Sequence, residues 1–388
     1  MKRWPTKPLG ELCSVVAGGT PSRARSDFYG GEIPWVKIGD MLQGTVNKTE
    51  ETISQLGLEN SAAKILPAGT VLISIFATIG RTAVLGIDAT TNQAIAGVTP
   101  NNLREITPSF LRFFLDCSVA NLTAEARGVA QMNINGKILK SLPIPVPPLA
   151  EQERIVKLLD EADELRKLRA QADRRTAQLL PALFHQMFGG SKFKPVRVGE
   201  LTSLVTSGST PRGGNEVYVS EGPYFIRSQN VRMNQFDLSD AVCLPAEVHE
   251  QMARTKVAKG DVLLNITGAS IGRVAWVEKL DREANVSQHV CLIRPKPELL
   301  SAVYLSVFIS LPATQYFILQ IQAGASRQAL NHQQVRALEI PVPSLPMQKE
   351  FAQRVTEIRA LESAQAASRL RLESLFQSLL HRAFNGEL

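Results

Sequence analysis

"GVAQMNINGKILKSLPIPVPPLAEQ" occupies Gly128–Gln152, and "GASRQALNHQQVRALEIPVPSLPMQ" occupies Gly324–Gln348. The second stretch repeats the first 196 residues later, without a gap. Each runs from a polar loop through a Pro-rich segment into the start of a helix. The match continues as "LLPALFHQMFGG" (Leu179–Gly190) against "LFQSLLHRAFNG" (Leu375–Gly386), pairing Leu179/Leu375, Leu183/Leu379, His185/His381 and Phe188/Phe384. Toward the front the offset drifts, as insertions in loops make it do. "VLISIFATIGR" (Val71–Arg81) echoes "VLLNITGASIGR" (Val262–Arg273), and "PWVKIGDM" (Pro34–Met41) echoes "PYFIRSQNV" (Pro223–Val231). "GGTPSR" (Gly18–Arg23) echoes "GSTPRG" (Gly208–Gly213), and "LGEL" (Leu9–Leu12) echoes "VGEL" (Val198–Leu201). A period near 190 residues means duplicated domains, not a solenoid of short repeats.

The expected fold class is α+β: two tandem mixed α/β globular blocks and two long helices that pair as a coiled coil, with an internal repeat. "TVLISI" and "DVLLNI" are short, apolar and preceded by Gly, which predicts strands. "PSFLRFFLDCSVANLTAEA" and "LLSAVYLSVFISLPATQYFILQ" have helical spacing. "LPIPVPP" and "LEIPVPS" read as edge strands, because Pro cannot donate to a ladder. Beyond them Ile155, Leu158, Ala162, Leu165, Ala172, Leu179 and Leu183 fall on a 3–4 spacing, with Arg169 and Thr176 as polar exceptions. The second copy offers Phe351, Ile358, Leu361, Leu372, Leu375 and Leu379, interrupted by Arg354, Gln365 and Ser368. A helix of about 38 residues is roughly 57 Å long and finds its partner in the other copy. Pro181 should kink the first helix or end it early. The expected divisions are residues 1–147, a globular domain; 148–190, a long helix; 191–343, a second globular domain; and 344–388, a second long helix.

The chain has 388 residues, 44% apolar and 20% charged, a globular composition. No apolar run reaches the roughly 18 residues a membrane helix needs, and "MKRWPTKPLG" has no apolar stretch behind its basic residues. Cys13, Cys117, Cys243 and Cys291 are far apart, as expected for buried thiols in a cytoplasmic protein. The net charge of +7 comes mainly from the two blocks 1–149 and 191–345, each at +3. That permits a nucleic-acid partner without demanding one.

Catalytic signatures are missing. There is no G-x-x-x-x-G-K-[ST], no H-E-x-x-H, no G-x-S-x-G, and no Asn/Asp-Pro-Pro-aromatic tetrapeptide. The five histidines are scattered, so no metal set is expected. What recurs, once per half, is polar and basic loops. Thr20, Ser22, Arg23, Thr210 and Arg212 lie in Gly/Ser/Thr loops whose amides and guanidinium groups suit phosphate. Lys37 and Asp40 face Arg227, Gln229 and Asn230 across the repeat; Arg on guanine and Asn or Gln on adenine are bidentate base readers. Arg81 and Arg273 end the "IGR" motifs. Asn92 and Gln93 stand opposite Gln288 and His289. Gln131 and Asn133 stand opposite Arg327, with Asn331 close behind. These are the candidate DNA-binding residues.

The ordered set "GxTPS/R", "PWVKIGD", "ASIGR" and the duplicated "IPVPP-LAEQ" and "IPVPS-LPMQ", each before a long helix, resembles the specificity subunit of type I restriction–modification enzymes over the whole chain. The resemblance implies two target-recognition domains, each reading half of a split double-stranded DNA target. It implies an antiparallel coiled coil with pseudo-twofold symmetry that sets the spacer and docks two methyltransferase subunits, with restriction/translocase subunits joining that core. It also implies no catalysis in this chain, with S-adenosylmethionine, ATP and Mg belonging to partner subunits. Two departures stand out: "IFATIGR" lacks the Thr-Gly of "NITGASIGR", and Glu151 has no acidic counterpart before Gln348. Fused, diverged reading heads suit an asymmetric target, as a homodimer suits a palindrome. The competing readings are an enzyme with an unrecognised motif and a coiled-coil scaffold that binds protein and ignores DNA sequence.

Overall fold

A computed structural model of the chain describes residues 4–76, 78–125, 134–190, 193–211, 213–321 and 329–388. The chain forms two compact units, and they do not follow chain order. One holds residues up to Ala170 together with Ala367–Leu388; the other holds Gln171–Ala366. Each unit therefore contains one of the two globular domains (the expected recognition domains), part of the first long helix and part of the last.

In the first unit a five-stranded sheet runs in the order Cys13–Ala17, Ile95–Pro100, Val71–Ser74, Thr82–Leu85, Thr45–Val46. The second unit has a four-stranded counterpart: Thr202–Ser207, Val290–Pro295, Val262–Asn265, Val274–Trp276. The central strands explain the uninterrupted apolar runs in the sequence. Val71 and Ile73 face the helix Pro108–Glu125, while Leu72 faces Met41, Ala83 and Leu85 on the other side. Val262 and Leu264 likewise face one core and Leu263 another. Successive side chains point to opposite faces, and both faces are covered.

A three-stranded sheet flanks each of these. It is Glu51–Ile53, Tyr29–Val36, Thr90–Thr91 in the first unit and Val242–Cys243, Val219–Ile226, Ala284–Val286 in the second. The Pro-rich segments are edge strands, as expected. Pro143–Pro145 pairs antiparallel with Thr6–Pro8, and Glu339–Pro341 pairs antiparallel with Pro195–Arg197. Each two-stranded ladder brings the start of a recognition domain to the start of a long helix.

One pair of positions shows how the copies diverged. Outside the Val71–Val98 and Val262–Ile293 pairings stand Thr70 with Thr99, and Asp261 with Arg294. The threonines share a hydroxyl hydrogen bond of 2.9 Å. Arg294 instead grips buried Asp261 with two bonds, of 2.7 and 2.8 Å. Both solutions satisfy the polar atoms that burial leaves.

Gln152 and Gln348 start the two long helices and are each fully buried. Gln152 donates to the carbonyls of Glu105 (2.7 Å) and Pro147 (3.0 Å) and accepts from Thr107 N (3.0 Å). Gln348 donates to Leu299 (3.2 Å) and Pro343 (2.9 Å) and accepts from Ser301 N (2.8 Å). The same amide clamp thus ties each helix to its recognition domain.

The first long helix is not continuous to Met187. It spans Leu149–Thr176, and a second segment spans Leu179–Phe188. The break falls where Pro181, lacking an N–H, leaves the Ala177 carbonyl without its helical donor. The last helix, Leu345–Phe384, has its one proline, Pro346, in the first turn, where no helical bond is lost, and runs 40 residues. The expected apolar seam needs correction. Leu165 and Leu179 are 50% and 39% exposed, and Leu361 and Leu375 are 44% and 47% exposed. The buried apolar positions are Ile155, Leu159 and Ala162, then Leu180, Phe184 and Phe188; in the last helix they are Phe351 and Val355, then Phe376, Leu380 and Ala383. Of the expected seam Ile155, Ala162 and Phe351 are buried, as are its polar exceptions Thr176 and Gln365. The four-residue step comes before the three-residue step, because the stripe must also face its recognition domain. Ile155, Leu159, Phe376 and Leu380 share one core with Phe110 and Phe113. Leu180, Phe184, Phe351 and Val355 share another with Tyr304.

Among the described residues no single helix is long and apolar enough to cross a membrane.

Candidate nucleic-acid interface

The Gly-Thr-Pro loop of each unit is pressed against the Asn/Gln or Gln/His loop. A Cβ on Gly18 would lie 2.1 Å from the Asn92 carbonyl oxygen, and one on Gly208 only 1.5 Å from that of Val286. Gly18 N donates to Ile95 O, and Gly208 N to Ser287 O. Only glycine permits this approach. Thr20 and Gln93 are brought into direct hydrogen-bond contact. Gln93 is exposed, as are Ser22 and Thr210. Asn92 is committed to its own turn: its Oδ1 accepts from Ala94 N at 3.1 Å.

The "IGR" hairpins are alike. Gly80 and Gly272 have φ of +89° and +86°. Gly80 N donates to Ser74 O and Gly272 N to Asn265 O. A Cβ on Gly80 would strike Val119 and one on Gly272 would strike Gln315, so each turn is seated against a helix of its own domain. This seating fixes where Arg81 and Arg273 leave the backbone. Arg81 reaches the Ile38 carbonyl at 3.4 Å, and Arg273 is exposed. The second hairpin is one residue longer and carries a short turn, Gly268–Ser270.

In the first unit Lys37 and Arg23 are not free cations. Lys37 Nζ lies 2.7 Å from Glu50 and 2.8 Å from Glu51, and Arg23 lies 2.8 Å from Glu51. The Arg23 guanidinium also stacks on Tyr29, 4.3 Å from its centroid. The two cations hold the Glu51 carboxyl below its ordinary range, Arg23 most strongly. Such half-exposed pairs are worth about 0–1 kcal/mol each, so a phosphate could exchange for Glu51 at small cost. Asp40 plays a structural part. Its carboxylate accepts from Lys37 N (2.8 Å) and Glu50 N (3.1 Å), closing the turn.

The second unit gathers more of the expected residues. Gln229, Arg273 and His289 line one cleft of about 510 Å³, with Ser228, Thr267 and Ser270 between them. Gln229 donates to Asp240 Oδ2 at 2.5 Å, which orients its amide. His289 Nδ1 and Thr267 Oγ1 lie 2.6 Å apart, and Gln288 sits beside the same ring. Asn230 is overturned as a base reader: it is fully buried, accepts from Arg227 N, and donates to Asp237 O and Asp240. Arg227 donates to the Asp240 carbonyl at 3.1 Å, bracing the same loop. Asn331 is a helix cap. Its Oδ1 accepts from Gln334 N at 2.8 Å, as Asn135 caps its own helix in the first unit. Gln131, Asn133, Arg212 and Arg327 lie outside the described residues.

Reasoning from sequence missed Asn265 and Thr267. Fully buried Asn265 donates to the carbonyls of Ser228 and Val231, fastening the Gln229 loop to the sheet. Its signal was the "NIT" that precedes the second hairpin and that "SIF" replaces in the first.

Paired polar loops set on a duplicated scaffold define a class: a protein with two related globular heads. The family model for the type I restriction modification DNA specificity domain matches residues 1–174 and again 191–368, and the chain belongs to that family. It is 26% identical over 319 residues to the type I restriction enzyme EcoBI specificity subunit of Escherichia coli, covering 71% of this chain and 65% of that one. Over 166 residues it is 32% identical to the EcoR124I/EcoR124II specificity subunit of Escherichia coli, 41% of each chain. It thus spans less than two thirds of either relative. Against the EcoKI specificity subunit of Escherichia coli (strain K12) it is 23% identical, covering 99% of this chain and 89% of the other. The fold matches that of an S subunit from M. genitalium, with a TM-score of 0.58, 14% identity and coverage of 98% and 96%. It also matches a chain from a study of type I R-M complex assembly, with a TM-score of 0.66, 20% identity and coverage of 100% and 99%.

Proposed function

We propose that this chain is the DNA-specificity subunit of a type I restriction–modification complex. Each recognition domain reads one half of an asymmetric, split, double-stranded target. The long helices form an antiparallel rod that sets the spacer and docks two methyltransferase subunits; restriction/translocase subunits join that core. Methyl transfer and cleavage, with their S-adenosylmethionine, ATP and Mg, belong to those subunits.

The observation that carries this reading is the second-unit cleft, where Gln229, Arg273 and His289 converge on loops held by buried Asn265 and Asn230. Exposed amide and guanidinium groups on a braced frame suit base-edge recognition. Gln93 and Arg81 give the first unit the same residue types on a different frame. Two frames that differ in detail suit two different half-sites.

The test is co-expression with the methyltransferase subunit encoded beside this chain, followed by mapping of N6-methyladenine. One split, asymmetric motif that disappears when this chain is omitted is the expected result. A motif that persists without the chain, or no motif at all, would favour the scaffold reading.

A further inference from the structure

His249 is buried, with 1% of its surface exposed, yet its Nε2 has no hydrogen-bond partner. Its Nδ1 lies 2.6 Å from Asn285 Oδ1. The orientation of that amide is fixed, because Asn285 Nδ2 donates to Met252 O at 3.0 Å and to Thr255 Oγ1 at 3.3 Å. Nδ1 is therefore the N–H donor, which leaves Nε2 as the ring nitrogen available to a ligand. Two carboxylates lie close to Nε2: Glu283 Oε2 is 3.3 Å away and Glu250 Oε1 is 3.9 Å away. Lys256 lies 2.7 Å from Glu250 and 4.0 Å from Glu283, so its single charge offsets only one of them. The carboxylate pair keeps one uncompensated negative charge beside Nε2, which a further cation would offset.

We infer that His249, Glu250 and Glu283 form a site for a divalent metal ion of the zinc class. The three ligand atoms lie within 4.8 Å of one another. A tetrahedral ion with bonds of about 2.0–2.2 Å has ligand-to-ligand edges of about 3.3–3.6 Å, and the His249–Glu283 separation of 3.3 Å already fits. The Nδ1–H bond to Asn285 is the outer contact that metal-bound imidazoles use to fix their orientation. Both glutamates are about two-thirds exposed, so they can swing onto an ion and leave the fourth position to water. The ion would pin helix Ala246–Gln251 to the start of strand Ala284–Val286, which leads directly to Gln288 and His289. The first 184 residues contain no histidine, so the first recognition domain has no equivalent.

Cobalt(II) and zinc(II) titrations of the purified full chain test this. The expected result is one Co²⁺ bound with d–d absorption and no thiolate charge-transfer band, and a zinc-dependent rise in Tm. Glu283→Gln and Glu250→Gln, at exposed positions, should each weaken binding at least ~10-fold. Lys256→Gln should strengthen it, because the competing cation is gone. Absence of bound metal, a thiolate band, or affinity unchanged in the glutamate variants would overturn the site. None of these readouts involves DNA, so failure here leaves the specificity reading standing.

Discussion

Gln152 and Gln348 show what a single buried amide does at the same place in each copy. Each buried amide bonds two carbonyls and one N–H, so every polar atom it brings inside is paired. Gln152→Ala and Gln348→Ala should each destabilise their own unit by about 1–3 kcal/mol, read as a shift in urea midpoint. Burial pushes the Asp116 carboxyl up to about 6, with the Thr82 hydroxyl bond pulling the other way. A carboxyl raised in the folded state favours folding while protonated. That contribution is present near pH 4 and is lost as pH rises through about 6. Asp116→Asn keeps the acceptor oxygen and removes the charge. It should be more stable than the parent by about 1–3 kcal/mol at pH 7.5, with the difference vanishing near pH 4. Urea titrations across that range provide the check. Sequence pattern could name the polar residues of the recognition loops but not sort them. Asn230 and Gln229 are neighbours, yet one is buried beneath the loop and the other is exposed. Nothing in "RSQN" says which side the turn will cover.

The long helices were legible as elements, and their seam was not. A heptad stripe can start with a step of three or of four, and the choice depends on what it faces. Here it faces a recognition domain as well as another helix. Positions 196 apart then carry compensating bulk. Ile155, Phe376 and Leu380 fill one core where Phe351, Leu180 and Phe184 fill the other. Phe184 contacts Tyr304 and Phe351, with centroids 5.4 and 5.7 Å away. Phe184→Ala should cost about 3–5 kcal/mol, while Phe184→Leu, the residue its counterpart Leu380 carries, should cost less than half of that. Similar losses for both variants in chemical denaturation would contradict the compensation. The Asp261–Arg294 pair makes the complementary point. Arg294→Ala strands a buried carboxylate and should cost about 3 kcal/mol. Converting both residues to threonine, as at Thr70 and Thr99, should recover most of it.

For the molecule as a whole, the duplication was plain in the sequence, because the gap-free 196-residue match spans loop, edge strand and helix. How contacts divide the chain was hidden, since each unit draws on both long helices and no linear boundary marks that. The central claim is that each recognition domain reads its own half-site. The most direct test is N6-methyladenine mapping of the complex carrying Gln229→Ala and Arg273→Ala, beside one carrying Gln93→Ala and Arg81→Ala. The account predicts that the first pair relaxes or changes one half of the split motif and the second pair changes only the other half. Both pairs altering the same half, or neither altering the motif while methylation persists, would contradict it.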